Sequence, residues 1–374
     1  MKMVARRAKS YLPPRQQQLR ATMAKEKLDG ILLTHPPDLA YLTDFTGDDS
    51  IGLITARDFF LATDFRYKEQ AALEAPWLKI RLRTGKMSET LVDALTKAKV
   101  KRVGFESNFT TFGEIDALRK ALKAKSAKIE LVPLNDVMVN LRKIKDQHEI
   151  QIIRQSIEIA ESAYKAICRQ LKVGQTENQL AGRLIFEMRS RGASGTSFPP
   201  IIAAGSTSSL PHYRPADRPV RKNEPLLFDW GAVYNGYCSD LTRTLLIGKV
   251  SARMRKIYQV TLEAQMTAIQ FLRPGVTTRQ ADAAGRKVIE KAGFGKYFGH
   301  GLGHGIGRDI HELPYMRKTT GDEELSPGMV VTVEPGIYLP GEGGVRIEDD
   351  VLITANGREV LSSLDKSLAG AVVD

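Results

Sequence analysis

The sequence predicts a two-domain protein of mixed helix and strand. An α/β layered domain over residues 1–138 precedes a larger α+β domain over residues 139–374. Three observations carry this expectation. A chain of 374 residues exceeds the usual size of one domain, so two is the natural expectation. Short apolar runs rich in β-branched residues alternate with stretches of helical period along the whole chain. After a break at Pro133 comes a strong helix start, where Asp146 and Glu149 form a capping box ahead of a long apolar stripe.

In the first domain, residues 16–28 read as a helix and Gly30-Ile31-Leu32-Leu33-Thr34 as a short buried strand. His35-Pro36-Pro37-Asp38 reads as a loop whose histidine decorates the surface. Residues 51–55 and 59–63 are strand-like on either side of Arg57-Asp58, and Val103-Gly104-Phe105-Glu106 is another strand. Residues 67–73, 88–97 and 112–122 are helical. No cluster of reactive side chains falls in this domain.

In the second domain, Ile150, Ile153, Ile157, Ala160, Tyr164, Ile167 and Leu171 recur at steps of three and four. They make one apolar stripe of a long helix that Gly174 closes. A second helix runs from the Thr176/Gln179 capping box to Gly192. Two more cover 251–272 and 278–292, closed by Pro274-Gly275 and by Gly293. Strand-like runs lie between them at 201–204, 226–233, 237–246, 329–333 and 345–353.

Composition narrows the function classes. The chain is 42% hydrophobic and 26% charged, ordinary for a globular protein. No apolar run approaches the roughly 18 residues of a membrane span, so no membrane partner is expected. Residues 1–15 are basic without the apolar core of a signal peptide, and the expected location is cytoplasmic. Cys168 and Cys238 read as reduced thiols. The net charge is +12, yet the lysines and arginines are scattered and no basic run alternates with aromatics. No specific nucleic-acid partner is expected; the field would draw acidic partners or peptide carboxylates.

The chemistry gathers around Gly299-His300-Gly301-Leu302-Gly303-His304-Gly305-Ile306-Gly307-Arg308-Asp309-Ile310-His311-Glu312. This segment holds three of the six histidines. Glycines between imidazoles build no core, but they let backbone pass close to a ligand. Upstream, Asn235-Gly236 marks a two-residue hairpin turn. Counting outward from it, residue 234 faces 237, 231 faces 240 and 229 faces 242. Asp229 and Asp240 then lie diagonally on one face, with Cα atoms about 7–8 Å apart. Held there, the two need a cation between them, or one stays protonated, or they point to solvent. Glu334 ends the apolar run Val330-Val331-Thr332-Val333, and Glu348 sits in the alternating run from Val345. Strand interiors disfavour acids unless they are paired or metal-bound. Arg346, two residues before Glu348, shares its face and offers a two-point hydrogen bond to a carboxylate. Four carboxylate charges with His304 balance two divalent cations.

Asp229, Asp240, His304, Glu334 and Glu348 resemble, in order and local context, the five-ligand set of the pita-bread metallopeptidases (M24). That family includes methionine aminopeptidase, aminopeptidase P and prolidase. The resemblance extends to Pro211-His212-Tyr213, His300, His311, the segment 334–338 and Arg346-Ile347-Glu348-Asp349. It implies a pita-bread catalytic domain behind a creatinase-like N-terminal domain. It also implies that Asp229 chelates one metal, that His304 and Glu334 hold the other, and that Asp240 and Glu348 bridge both. Two metals about 3.5–4 Å apart share a water, lower its pKa and present hydroxide to a carbonyl carbon. Oxygen-rich ligation with one imidazole suits Mn²⁺ first, with Co²⁺, Fe²⁺ or Zn²⁺ possible. By the same resemblance Glu334 shuttles a proton, His212 and His311 donate to the oxyanion, and His300 and Arg346 position substrate and ligands.

The implied substrate is a peptide with proline in second position, cleaved by a prolidase-like dipeptidase or an aminopeptidase P-like enzyme, as a homodimer joined through the N-terminal domain. Methionine aminopeptidase is disfavoured by the extra domain and by residues 346–349, and a creatinase-type amidinohydrolase would not need all five ligands. A non-catalytic peptide- or histone-binding module on the same fold is the alternative of a different class. Arg308, where relatives often carry an apolar residue, is expected to add a charge beside the site.

Overall fold

The computed structural model describes residues 9–319 and 321–373. Most of the basic start, residues 1–8, lies outside them. The chain divides into two compact units at Arg142/Lys143.

The first unit is built on a six-stranded sheet ordered Lys79–Leu82, Phe59–Thr63, Ile51–Thr55, Gly30–Leu33, Arg102–Glu106, Glu130–Leu134. The strand Gly30–Leu33 runs antiparallel to Ile51–Thr55 and parallel to Arg102–Glu106. Both faces are covered. Ile31 and Leu33 join Leu19, Met23 and Met138 on one side, while Leu32 joins Leu91, Leu95 and Leu118 on the other. That explains the unbroken apolar reading of this strand. The sequence reading passed over the two edge strands because they are half-polar. Pro133 lies within one of them, where its missing N–H leaves an outward-facing edge.

Residues 35–38 are not a loop. Pro36–Thr43 is a helix with both prolines in its first turn, where a fixed φ favours the start and the missing N–H costs nothing. His35 stacks on Phe109 with ring centroids 4.0 Å apart instead of decorating the surface.

In the second unit the predicted helices form as Gln147–Cys168, Glu177–Ser190, Ala252–Phe271 and Thr278–Lys291. Both capping boxes read from the sequence are present, and Thr277/Gln280 supplies a third. The first helix ends at Cys168, so Leu171 and Gly174 belong to the turn that follows. Two sheets face these helices. One is ordered Val372–Val373, Leu241–Ile247, Glu224–Trp230, Ile201–Ala204; the other is ordered Glu312–Met316, Gly303–Gly305, Val330–Val333, Asp349–Thr354, Gly357–Val360.

Alternation decides what each strand residue touches. Leu226, Phe228 and Trp230 enter the core under the first two helices, where Trp230 stacks on Tyr164 at 4.5 Å and its indole N–H donates to the Ala160 carbonyl. Leu227 joins Ile201 and Ala203 in a separate small cluster, and Asp229 follows Leu227 on that face. Val331, Val333, Val351 and Ile353 pack with Ala268 and Ala281 of the last two long helices. Among the described residues no helix is long and apolar enough to cross a membrane.

Candidate metal centre

The hairpin forms in the register counted from its turn. Tyr234 pairs with Tyr237, Trp230 with Leu241 and Asp229 with Thr242, and Asn235 and Gly236 both take positive φ. The ribbon breaks at Ser239-Asp240, between strands Tyr237–Cys238 and Leu241–Ile247. The predicted run 345–353 also breaks. Gly343–Arg346 pairs with Gly336–Leu339, whereas Asp349–Thr354 pairs with Val330–Val333. Glu348 lies at one changeover and Glu334 at the other. The sequence signals the end of the run at Glu334 but not the break at Glu348, because residues 345–353 alternate smoothly. At the changeover the Glu348 N–H donates to the Thr242 carbonyl, which joins it to the hairpin.

These breaks turn the acids inward. Asp229, Asp240, His304, Glu334 and Glu348 all line one cavity of about 350 Å³, together with His212, His300, His311 and Arg346. Asp240, His304 and Glu348 come closest, each offering one ligand atom within 4.8 Å of the others. His304 Nε2 stands 3.6 Å from both Asp240 Oδ2 and Glu334 Oε1. Asp229 is not part of that tight set; its Oδ2 accepts from Arg346 Nη2, and its Oδ1 is buried without a hydrogen-bond partner.

The electrostatics test whether cations fit. Burial, reinforced by neighbouring acids, holds the Asp240 and Glu348 carboxyls well above the usual range. Burial lifts Glu334 to about 8 and raises Asp229, while Arg346 opposes both rises. Burial also lowers His304 to about 3, so its ring is neutral. Its Nδ1 lies 3.0 Å from the Gly305 carbonyl, which can only accept, so Nδ1 carries the proton. Nε2 therefore presents a lone pair to two carboxylate oxygens. Such a set is mutually repulsive unless protons or cations lie among its atoms, and its hard oxygens with one imidazole suit a divalent metal.

Arg346 does orient a carboxylate, that of Asp229, but through one hydrogen bond instead of two. Its Nη2 donates to Asp229, its Nη1 to the Tyr338 hydroxyl at 2.7 Å and its Nε to Thr242 Oγ1 at 3.1 Å. Thr242 in turn donates to Glu348 Oε2 at 2.6 Å. One guanidinium thus orients two carboxylates, the second through a hydroxyl. Burial opposes its charge, but the surrounding Tyr338, Asp229, Glu334 and Glu348 keep it protonated. His300 is neutral, lowered by burial to about 3; its Nδ1 donates to the Gly301 carbonyl and its Nε2 accepts from Tyr338. Burial and then His212 lower His311.

Arg308 does not add its charge beside the site. Its guanidinium lies over the Tyr237 ring, 4.5 Å from the centroid, and Nε donates to the Tyr237 hydroxyl. A second cation at the cavity, besides Arg346, is Arg317, which the sequence reading missed. It lies over Tyr315, and both line the cavity with Phe198 and Ile310. Tyr315 lies in the strand Glu312–Met316, and His311 and Arg317, which flank that strand, share its parity, a signal available only once the strand was known.

A helix-backed pair of sheets with an acid-and-histidine cluster in their shared cavity has the makings of a divalent-metal site. Residues 151–355 match metallopeptidase family M24, and residues 15–144 match the creatinase/prolidase N-terminal domain. The chain belongs to metallopeptidase family M24 and has its pita-bread fold. It is 34% identical to an Xaa-Pro dipeptidase of Pyrococcus horikoshii over 354 residues, which is 92% of this chain and 96% of that one. The solved structure of an Xaa-Pro dipeptidase from Bacillus anthracis matches with a TM-score of 0.91 at 37% identity, over 97% of this chain and all (100%) of the other. An X-Pro aminopeptidase from Thermotoga maritima matches with a TM-score of 0.87 at 34% identity, over 96% of this chain and 100% of that one.

Proposed function

We propose that this metallopeptidase hydrolyses Xaa-Pro dipeptides with two divalent cations, Mn²⁺ first among them, held by Asp229, Asp240, His304, Glu334 and Glu348. The observation that carries the reading is the buried Asp240–His304–Glu348 cluster in a cavity of about 350 Å³. That volume is at the low end of the roughly 300–1,000 Å³ of small-molecule sites, which favours a small substrate. Divalent cations there supply Lewis acidity and lower the pKa of water.

The chain's own residues do the rest. Phe198, Ile201, Ile310 and Tyr315 give the cavity apolar surface for a pyrrolidine ring. An Xaa-Pro bond has no N–H for an enzyme to grip, so shape replaces a hydrogen bond. His311 and His212 stand at the same cavity and donate ring N–H groups to the oxygen that gains charge as the carbonyl is attacked. Glu334 carries a proton to the leaving proline nitrogen. Arg346 holds Asp229 and, through Thr242, Glu348. Arg317 at the cavity offers a cation to the carboxylate of a dipeptide, which a longer peptide lacks at that position. The enzyme works in the cytoplasm as a homodimer.

The test compares Gly-Pro with a longer Xaa-Pro-peptide, metal by metal. Faster turnover of Gly-Pro with Mn²⁺ supports the proposal. Preference for the longer peptide replaces dipeptidase with aminopeptidase P-like activity. Purification without stoichiometric Mn, Co, Fe or Zn, and no turnover after reloading, identifies a non-catalytic peptide-binding module instead.

A further inference from the structure

Glu177 is a fully buried acid at the first position of the helix Glu177–Ser190, away from the cavity. The helix does not need it. Thr176 and Gln179 already cap that end reciprocally. The Glu177 carboxylate instead accepts four hydrogen bonds from a segment that follows it by some thirty residues. Oε1 receives the Ala204 N–H at 2.8 Å and the Thr207 hydroxyl at 2.9 Å. Oε2 receives the Tyr213 hydroxyl at 2.8 Å and the Ala216 N–H at 3.1 Å. Those contacts bracket His212, an exposed residue in a turn that belongs to no helix or strand.

Residues 210–216 lack a sheet ladder; their backbone bonds run from the Tyr213 N–H to the Leu210 carbonyl and from the Asn178 N–H to the Ala216 carbonyl, so a side-chain anchor adds much to what holds them. On the cavity side Arg346 Nη2 makes a long contact, 3.5 Å, to the Pro211 carbonyl. Tyr213 is the strut. Its backbone adjoins His212, its ring packs on Ile201, Ala203 and Leu227, and its hydroxyl ends on Glu177.

We propose that Glu177 is the positioning residue of His212, setting the imidazole at the cavity through the Tyr213 strut and the Ala204 and Ala216 backbone. This rests on the dipeptidase reading for the use made of His212, but the placement itself can be measured without turnover. Both carboxylate oxygens take two donors, so an isosteric amide cannot replace them. Whichever way Gln turns, its NH₂ meets the backbone N–H of Ala204 or of Ala216.

The experiment uses the full-length, metal-loaded enzyme. Glu177→Gln should keep its metal content and lower kcat on Gly-Pro about 10–100-fold, as loss of a supporting hydrogen-bond partner does. Tyr213→Phe should lower it less. In a His212→Ala background Glu177→Gln should change kcat less than about threefold, because the residue it positions is gone. In protein labelled with ¹³C-histidine, the ring signal absent from His212→Ala should shift or broaden in Glu177→Gln while the other five stay in place.

A full multiplicative loss in the His212→Ala background overturns the inference and makes Glu177 a merely structural acid, as does an unmoved His212 signal. If His212→Ala itself leaves kcat intact, the role given to His212 fails, while the ring signal still judges the placement.

Discussion

Lys145 and Glu312 form an ion pair with Nζ to Oε2 at 3.0 Å and both side chains about 1% exposed. Glu312 follows His311 directly, and its other oxygen accepts the Asp309 N–H at 3.1 Å. A Cβ at Gly307 would meet that same carboxylate at 2.6 Å, so the pair is packed against the turn that carries His311. Lys145→Met keeps the length of the stem and removes the charge. The carboxylate then stays buried without its ammonium, which typically costs about 3–5 kcal/mol. At roughly 2–4 °C per kcal/mol for a unit of this size, calorimetry should show a fall in Tm of about 6–20 °C. Replacing both partners, Lys145→Met with Glu312→Gln, removes the buried negative charge as well and should recover more than half of the loss. The coupling in this cycle should exceed about 1.5 kcal/mol. A single variant within about 1 kcal/mol of wild type, or a double variant no better than the single one, would refute the reasoning.

Asp240→Ala should abolish Gly-Pro hydrolysis and lower bound metal; substantial turnover with added Mn²⁺ would remove Asp240 from the proposed ligands. His311→Ala should lower kcat by about 10²–10³ while metal occupancy holds, the usual loss for one oxyanion donor, and equal loss of both would place His311 among the ligands. Arg317→Met should raise KM for Gly-Pro more than it lowers kcat and leave a longer peptide unaffected, and equal effects on both substrates would deny Arg317 its carboxylate.

Chelation should destabilise the enzyme more at pH 8 than at pH 5.5. Burial lifts the folded-state pKa of Glu334 to about 8, so its stabilising protonation is complete below the ordinary carboxylate range and lost as pH rises through that value. Each such group contributes a slope of up to about 1.4 kcal/mol per pH unit between the two pKa values. Bound cations replace those protons. Scanning fluorimetry with and without chelator reads the difference, and an equal shift at both pH values contradicts the account.

Local rules in the sequence reached far into this molecule. A two-residue turn sets the hairpin register, so Asp229 opposite Thr242 is legible from the sequence. The helix starts at Asp146 and Thr176 were legible because a cap needs only four consecutive residues. What stayed hidden was set by partners distant in the chain. The run 345–353 alternates smoothly, yet it changes sheets at Glu348 because Thr242 takes that backbone. Arg308 turns from the cavity because Tyr237, seventy-one residues earlier, offers a ring face and a hydroxyl. Residues 35–38 looked like a loop because proline breaks helices in their interior, whereas here the prolines begin one. The four bonds to Glu177 had no sequence signature at all.

Glycine beside a buried histidine is easily taken for looseness. Around His304 it means the reverse. A methyl group at Gly303 would meet the Thr332 carbonyl oxygen at 2.0 Å, and one at Gly305 would meet that of Leu313 at 2.1 Å. The imidazole is thus carried on a rib clamped from both sides, with its spare nitrogen aimed by masonry instead of by the ion. A socket built this way takes its shape from the chain, so the bearing of the ring should be the same whether or not the ion proposed for it is there.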